Sequence, residues 1–202
     1  TTPNRKGFVH SGTGRIKELR MSTMTLLERR LSDGKVSVKG LFDRPEFSFS
    51  IREADLRDII DYTVHGGWPG VMGMPSDASL EVARGYIDTL VNNDISFDGT
   101  NRDPAKMLRL IRSLARNEST TASKKALKRD MLENPDDPTI ADNTLDDYLS
   151  VLERLHFTDF QPAFNPNMRS SVRVGKTPKR HLADPSLSMA ALGLTPEAAL
   201  KD

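Results

Sequence analysis

The sequence has no cysteine, which excludes a disulfide framework, thiol catalysis and any cysteine-based zinc site. Histidine is scarce. The four, at positions 10, 65, 156 and 181, are never spaced as a helical HxxxH ligand pair. Aromatic residues are few and Trp68 is the single tryptophan. No apolar run approaches the ~20 residues that a membrane span requires. Nowhere does the phosphate-cradling pattern GxxxxGK(S/T) occur, and Ser11-Gly12-Thr13-Gly14 fails as GxGxxG because Lys17 holds the third glycine position. A glycine-rich turn beside Arg15 can still present backbone N–H groups and a charge to phosphate, so Gly12, Gly14 and Arg15 are a candidate nucleotide-contacting loop.

What is present is a chain of 202 residues with 37% hydrophobic and 28% charged residues, enough for one ordinary domain or two small ones and typical of a soluble cytoplasmic protein. It opens on Thr1-Thr2-Pro3 and closes on the helix-like Ala198 to Asp202, so a piece of a longer protein is expected. The net charge of +1 conceals blocks of opposite sign. Residues 40–100 carry −7, 101–129 carry +7 and 130–160 carry −8, while 161–182 hold five bases and no acid. Such alternation implies either solvated, internally paired faces or basic faces turned to nucleic acid or phosphate.

Periodicity predicts a mainly α fold with small β elements. Leu26 to Leu31 reads as a short helix ended by Asp33-Gly34. Ser50 and Glu53 have capping-box spacing, followed by Ile51, Leu56, Ile59, Ile60 and Val64 as an apolar stripe that stops at Gly66-Gly67. A second helix runs from about Asp77 to Asn92, with Leu80, Val82, Ala83, Tyr86, Ile87, Leu90 and Val91 inward. Asp103-Pro104 opens a third. A fourth covers about 120–132. A fifth is expected over about 144–155 with Thr144 and Asp147 as its capping pair. Phe157 to Phe164 and Ser171 to Val174 then alternate like two strands joined by Asn165-Pro166-Asn167, with Lys179 to Ala183 as a possible third. Three helices followed by a hairpin is the winged-helix order.

The expected recognition helix is acidic, carrying Asp142, Asp146, Asp147 and Glu153 against Arg154, and reads DNA poorly. The basic residues lie elsewhere. Arg102, Lys106, Arg109, Arg112 and Arg116 recur along the preceding helix, and Arg169, Arg173, Lys176, Lys179 and Arg180 crowd the wing. These ten form the candidate nucleic-acid or partner surface, the alternative being a basic face docked on the protein's own acidic segments. The neighbouring carboxylates Asp136-Asp137 and Asp146-Asp147 do not make an acid–base pair, because adjacent helical residues point about 100° apart. His65 and Trp68 are expected to belong to a packed turn rather than to a ligand set.

Several strings together resemble the bacterial AAA-type (AAA+ superfamily) P-loop ATPases that carry a winged-helix segment and a nuclease-like C-terminal domain of unknown function. These are Gly14-Arg15 with Leu19, Met21, Met24-Thr25-Leu26 and Glu28; Tyr62 with Gly66-Gly67-Trp68-Pro69; Tyr86-Ile87 with Asn93-Asp94-Ile95; Thr144 with Tyr148-Leu149 and Leu152-Glu153; and Lys176-Thr177-Pro178-Lys179 with Asp184-Pro185-Ser186-Leu187. Thr23 departs from a proline usual near that point. The resemblance implies residues 1–49 as a remnant of the ATPase core, 50–98 as a helical lid, 99–175 as a winged-helix-like module and 176–202 as the start of a truncated C-terminal domain. It places the nucleotide-binding half before Thr1 and the nuclease motifs after Asp202. ATP and Mg are then cofactors of the full-length parent, with none in this chain. The parent would be an ATPase and this chain by itself not catalytic, with the rest of its own polypeptide as first partner and no membrane. Arg15 becomes the candidate γ-phosphate-sensing residue, or else an arginine tied to a carboxylate across the lid. The alternative function is a non-enzymatic winged-helix binding module for DNA or a protein partner. No metal site is expected.

Overall fold

The computed structural model describes residues 19–43, 54–167, 169, 171 and 175–201. The described chain is mainly helical, with α1 (Val38–Asp43), α2 (Leu56–His65), α3 (Ser76–Asn92), α4 (Pro104–Arg116), α5 (Lys124–Asp130), α6 (Asp142–Arg154), α7 (Pro185–Leu192) and α8 (Pro196–Ala199). Short 3-10 turns sit at Pro69–Val71 and Asp94–Ser96. Among the described residues β pairing is limited to two antiparallel bridges, Thr158 with Leu182 and Gln161 with Lys179. No helix among them is long and apolar enough to cross a membrane.

The helices form where the sequence supplies both a start signal and a core stripe. Asp103 caps α4 by accepting the N–H groups of Ala105 and Lys106, and Pro104 takes the first turn, where its missing N–H costs nothing. Met107, Leu110, Ile111 and Leu114 then bury one face. In α3 the buried set is Leu80, Ala83, Ile87, Leu90 and Val91. Val82 and Tyr86, expected inward, are 47% and 37% exposed, because the turn of 100° per residue puts them beyond the stripe edge.

Two caps differ from expectation. α2 begins at Asp55, whose side chain accepts from Asp58 N while the Asp58 side chain accepts from Asp55 N. Ser50, Ile51 and Glu53 lie outside the described residues. Of the apolar stripe predicted for α2, Ile60 and Val64 are buried whereas Leu56 and Ile59 face solvent. α6 starts at Asp142 after Ala141, without a side-chain cap, and Asp147 is drawn away to an arginine rather than reaching back to Thr144. Leu26 to Leu31 makes hydrogen-bonded turns instead of a helix, led by a reciprocal Thr25–Glu28 pair.

The return strand also differs. Residues 158–161 pair with 179–182, the segment expected as a third strand. Of the predicted second strand only Ser171 is described. Segment 179–182 is held from its other side as well. Ser119 N donates to Arg180 O at 2.8 Å and Arg180 N to Thr120 O at 2.7 Å.

α7 was absent from the sequence reading, yet it is central. Leu187, Ala190 and Ala191 join the larger core built by α3, α4 and α6, while Met189 joins a smaller one with Ile60, Val64 and Leu80. α7 therefore packs on α2, α3 and α4 together. The larger core takes residues from 83 to 191, so the segments 50–98, 99–175 and 176–202 share one interior rather than holding separate ones.

Candidate functional site

The polar centre of the described molecule is the turn after α2. Gly66 ends the helix at φ 58°, ψ −155°, a conformation essentially confined to glycine, with its N–H on Tyr62 O. Gly67 follows in a crowded place where a Cβ would lie 2.3 Å from the Met24 carbonyl oxygen. Met24 N donates to Gly67 O at 2.7 Å. Gly67 N donates to Asp184 Oδ2 at 2.7 Å. Asp184 caps α7, its Oδ1 accepting from Ser186 N at 3.0 Å and from Ser186 Oγ at 2.6 Å. Trp68 Nε1 donates to Ser186 Oγ at 2.9 Å. Thr23 Oγ1 reaches Ala183 O at 3.4 Å.

Asp184 is 1% exposed. Three donors satisfy its carboxylate, which is what a buried charge requires. These hydrogen bonds bind residues 23–24, 66–68 and 183–186 together. An aromatic path leaves it: Trp68 to Tyr86 at 5.4 Å between centroids, and Tyr86 stacked on the fully buried Phe157 at 6.0 Å. Burial raises the Tyr86 phenol pKa above its ordinary value. His65 and Trp68 belong to this packed turn, His65 with its ring nitrogens 2.9 Å from the carbonyl oxygens of Asp61 and Met74.

A second polar knot surrounds Glu118 past the end of α4. Its carboxylate accepts from His181 Nδ1 at 2.8 Å, Leu182 N at 3.0 Å and Ser188 Oγ at 3.1 Å. Ser119, at φ 61°, lies 3.4 Å from the same His181 nitrogen. That nitrogen already donates to Glu118, so it cannot act as a base toward Ser119. Glu118→Ala is expected to cost about 2 kcal/mol, because it leaves a backbone N–H and a hydroxyl without their acceptor. Urea denaturation of the variant measures this.

Four of the ten candidate surface cations, Arg102, Lys106, Arg109 and Arg116, meet acids of the same chain. Arg102 is not on the surface at all. It is 4% exposed, and its five N–H donors meet Asp98 at 2.8 and 3.0 Å, Asp147 at 2.8 and 2.9 Å, and Ile95 O at 2.6 Å. The bonds it donates to Asp147 and Asp98 raise its pKa above the ordinary value. Arg102, with the Thr100 N–H, holds the Asp98 carboxyl well below the usual carboxylate range. Arg109 pairs with Glu133 at 2.8 Å, Arg116 with Asp130 at 2.6 Å, and Lys106 lies 3.8 Å from Asp103. Arg112 is exposed.

Arg180 is likewise interior. It is 5% exposed, lies 4.6 Å over the Phe160 ring and donates to Ala122 O, and burial lowers its pKa below the ordinary value. Arg169, Lys176 and Lys179 are exposed. Arg173, Gly12, Gly14 and Arg15 lie outside the described residues. No group of three or more potential metal-ligating side chains occurs among those described.

Sequence reading missed Asp184 as the junction's centre, although Asp184-Pro185 repeats the Asp-Pro helix start read at Asp103-Pro104. Glu118 and Asp98 carried no local signal, since their partners lie far along the chain or depend on the turn after α3.

These features define a helical domain whose polar residues serve mainly to tie distant segments together. The chain belongs to the family of a domain of unknown function, DUF8612, whose profile matches residues 56–198, from the first residue of α2 into α8. No curated protein and no solved structure matches it.

Proposed function

We propose that this chain is the non-catalytic lid and helical module of an AAA-type P-loop ATPase, relaying the nucleotide state of that core to the helical body. One observation carries the reading. The strings resembling that ATPase family converge: Met24 of the first, Gly66-Gly67-Trp68 of the second, Tyr86 of the third and Asp184 with Ser186 of the last meet at one junction. Hydrogen bonds and a ring contact at this junction thus tie together residues from positions 24 to 186. Arg15, with Gly12 and Gly14, is the element assigned to sense phosphate, while ATP and Mg come with the ATPase core.

Calorimetric titration of the 202-residue chain with Mg-ATP should show no binding. A reading frame encoding a strand and GxxxxGK(S/T) upstream of Thr1 is expected. The longer polypeptide should hydrolyse ATP and change Trp68 emission on binding it. Micromolar ATP affinity in the 202-residue chain, or a frame without a P-loop, sinks the proposal.

The order of α4, α5, α6 and the paired segments 158–161 and 179–182 supports a second reading, a winged-helix-like binding module for nucleic acid or a protein. Salt-sensitive DNA binding lost in an Arg109→Glu, Arg112→Glu, Arg173→Glu variant would favour it.

A further inference from the structure

Between α5 and α6 lies an open cleft of about 940 Å³ whose lining includes Lys124, Lys125, Lys128, Arg129, Asp142 and Asp146. α5 carries these four cations in seven residues, and helical geometry sorts them into two rows. Lys124 and Lys128 form one row and Lys125 and Arg129 the other, each with its members one turn apart. The first row is occupied. Lys124 Nζ is 2.5 Å from Asp146 and Lys128 Nζ is 2.7 Å from Asp142, carboxylates four residues apart on α6. The second row is exposed and lines the cleft, and its side chains make no hydrogen bond or ion pair with any described residue.

We infer that this cleft docks an acidic helix of a protein partner, with carboxylates four residues apart meeting Lys125 and Arg129 as Asp142 and Asp146 of α6 meet Lys128 and Lys124. The molecule itself displays the recognition chemistry on one row and leaves the equivalent row vacant. Spacing agrees. Positions i and i+4 of a docked helix are about one turn, ~6 Å, apart, the same spacing that separates Lys125 from Arg129 on α5. Half-buried Ala126 and Leu132 supply apolar surface for the docked helix to cover. Among the described residues no aromatic side chain lines the cleft to act as the base-stacking platform typical of single-stranded nucleic acid binding.

The test is fluorescence anisotropy with a labelled alanine-rich helical peptide bearing glutamates at i, i+4 and i+8, added to the full 202-residue chain at low salt. Binding is expected, weakening as salt rises, with none for the glutamine version of the peptide. The double variant Lys125→Glu, Arg129→Glu should lower affinity by at least about tenfold, as charge reversal at a complementary contact does. Arg57→Glu, at an exposed cation on α2, should leave affinity unchanged. Far-UV circular dichroism checks folding, and Lys125→Gln, Arg129→Gln provides a milder pair with the same expected direction. Absence of peptide binding, equal binding by the charge-reversed chain, or an equal loss with Arg57→Glu overturns the inference. So does a DNA duplex that binds in preference to the peptide through Lys125 and Arg129, which would make the cleft a phosphate site.

Discussion

Replacing Arg102 with methionine is expected to lower the folding free energy by about 3 kcal/mol at neutral pH, measured by urea denaturation. The methionine fills much of the volume, so the loss is electrostatic. The Arg102 side chain is 3% exposed and joins the turn after α3, the start of α4 and the middle of α6. Without it Asp98, 23% exposed, loses a bidentate partner and Ile95 O loses its donor, whereas Asp147, 43% exposed, partly recovers water. That half-exposed partner keeps the expected cost at the low end for a broken interior ion pair.

The pH dependence gives a second readout. Asp98 has its folded pKa depressed, so its contribution is present above the unfolded value near 4 and is lost as pH falls from there toward the folded value. The parent chain should therefore lose stability below about pH 4 more steeply than Arg102→Met, and the gap between them should narrow with acid. Parallel curves for the two proteins would show that Arg102 does not hold Asp98 in its charged form.

Gly66→Ala is expected to cost about 3–5 kcal/mol, from a backbone conformation closed to alanine together with overpacking. The added Cβ would stand 1.8 Å from Asp184 Oδ1 and 2.8 Å from Ser186 Oγ. Both atoms are held: Asp184 caps α7 and binds Gly67 N, and Ser186 binds Trp68. The clash cannot be relieved by turning one flexible side chain, so α7 or the 66–69 turn must move. Trp68 emission should shift along with the loss of stability. Gly85→Ala serves as the contrast. Gly85 is exposed in the middle of α3 with open space at its Cβ position, so this change should add about 0.5–1 kcal/mol. Equal effects at the two positions would show that Gly66 carries no packing constraint.

Much of the fold was legible because it depends on local rules. α4 was readable from Asp103-Pro104 and the recurrence of Met107, Leu110, Ile111 and Leu114, which place their own start and inner face. The packed turn at Gly66-Gly67-Trp68 was readable because consecutive glycines stop a helix and a lone tryptophan seeks cover. Caps were less legible where two acceptors competed. Asp147 has capping spacing from Thr144, but an arginine 45 positions away outbids that bond through a bidentate contact. Strand pairing was less legible still. Alternation marks a segment as extended but not its partner, and residues 158–161 chose 179–182, which are also held by residues 119 and 120.

The ten basic residues show the same division. Their spacing marked Arg102, Lys106, Arg109, Arg112 and Arg116 as a stripe along one helix, and four of these five lie against acidic residues from the −7 and −8 blocks or from the helix's own cap. The sequence by itself determined the helices with strong periodicity, the charge blocks, and the absence of thiol chemistry and of a P-loop pattern, since each depends only on residue type and near neighbours. Tertiary structure alone decided that Asp184 and Glu118 are knots, that Arg102 and Arg180 are interior, and that Lys125 and Arg129 are exposed. Whether a charge is paired or exposed depends on which residue the packed core brings beside it, as Asp147 is brought to Arg102 from 45 positions away.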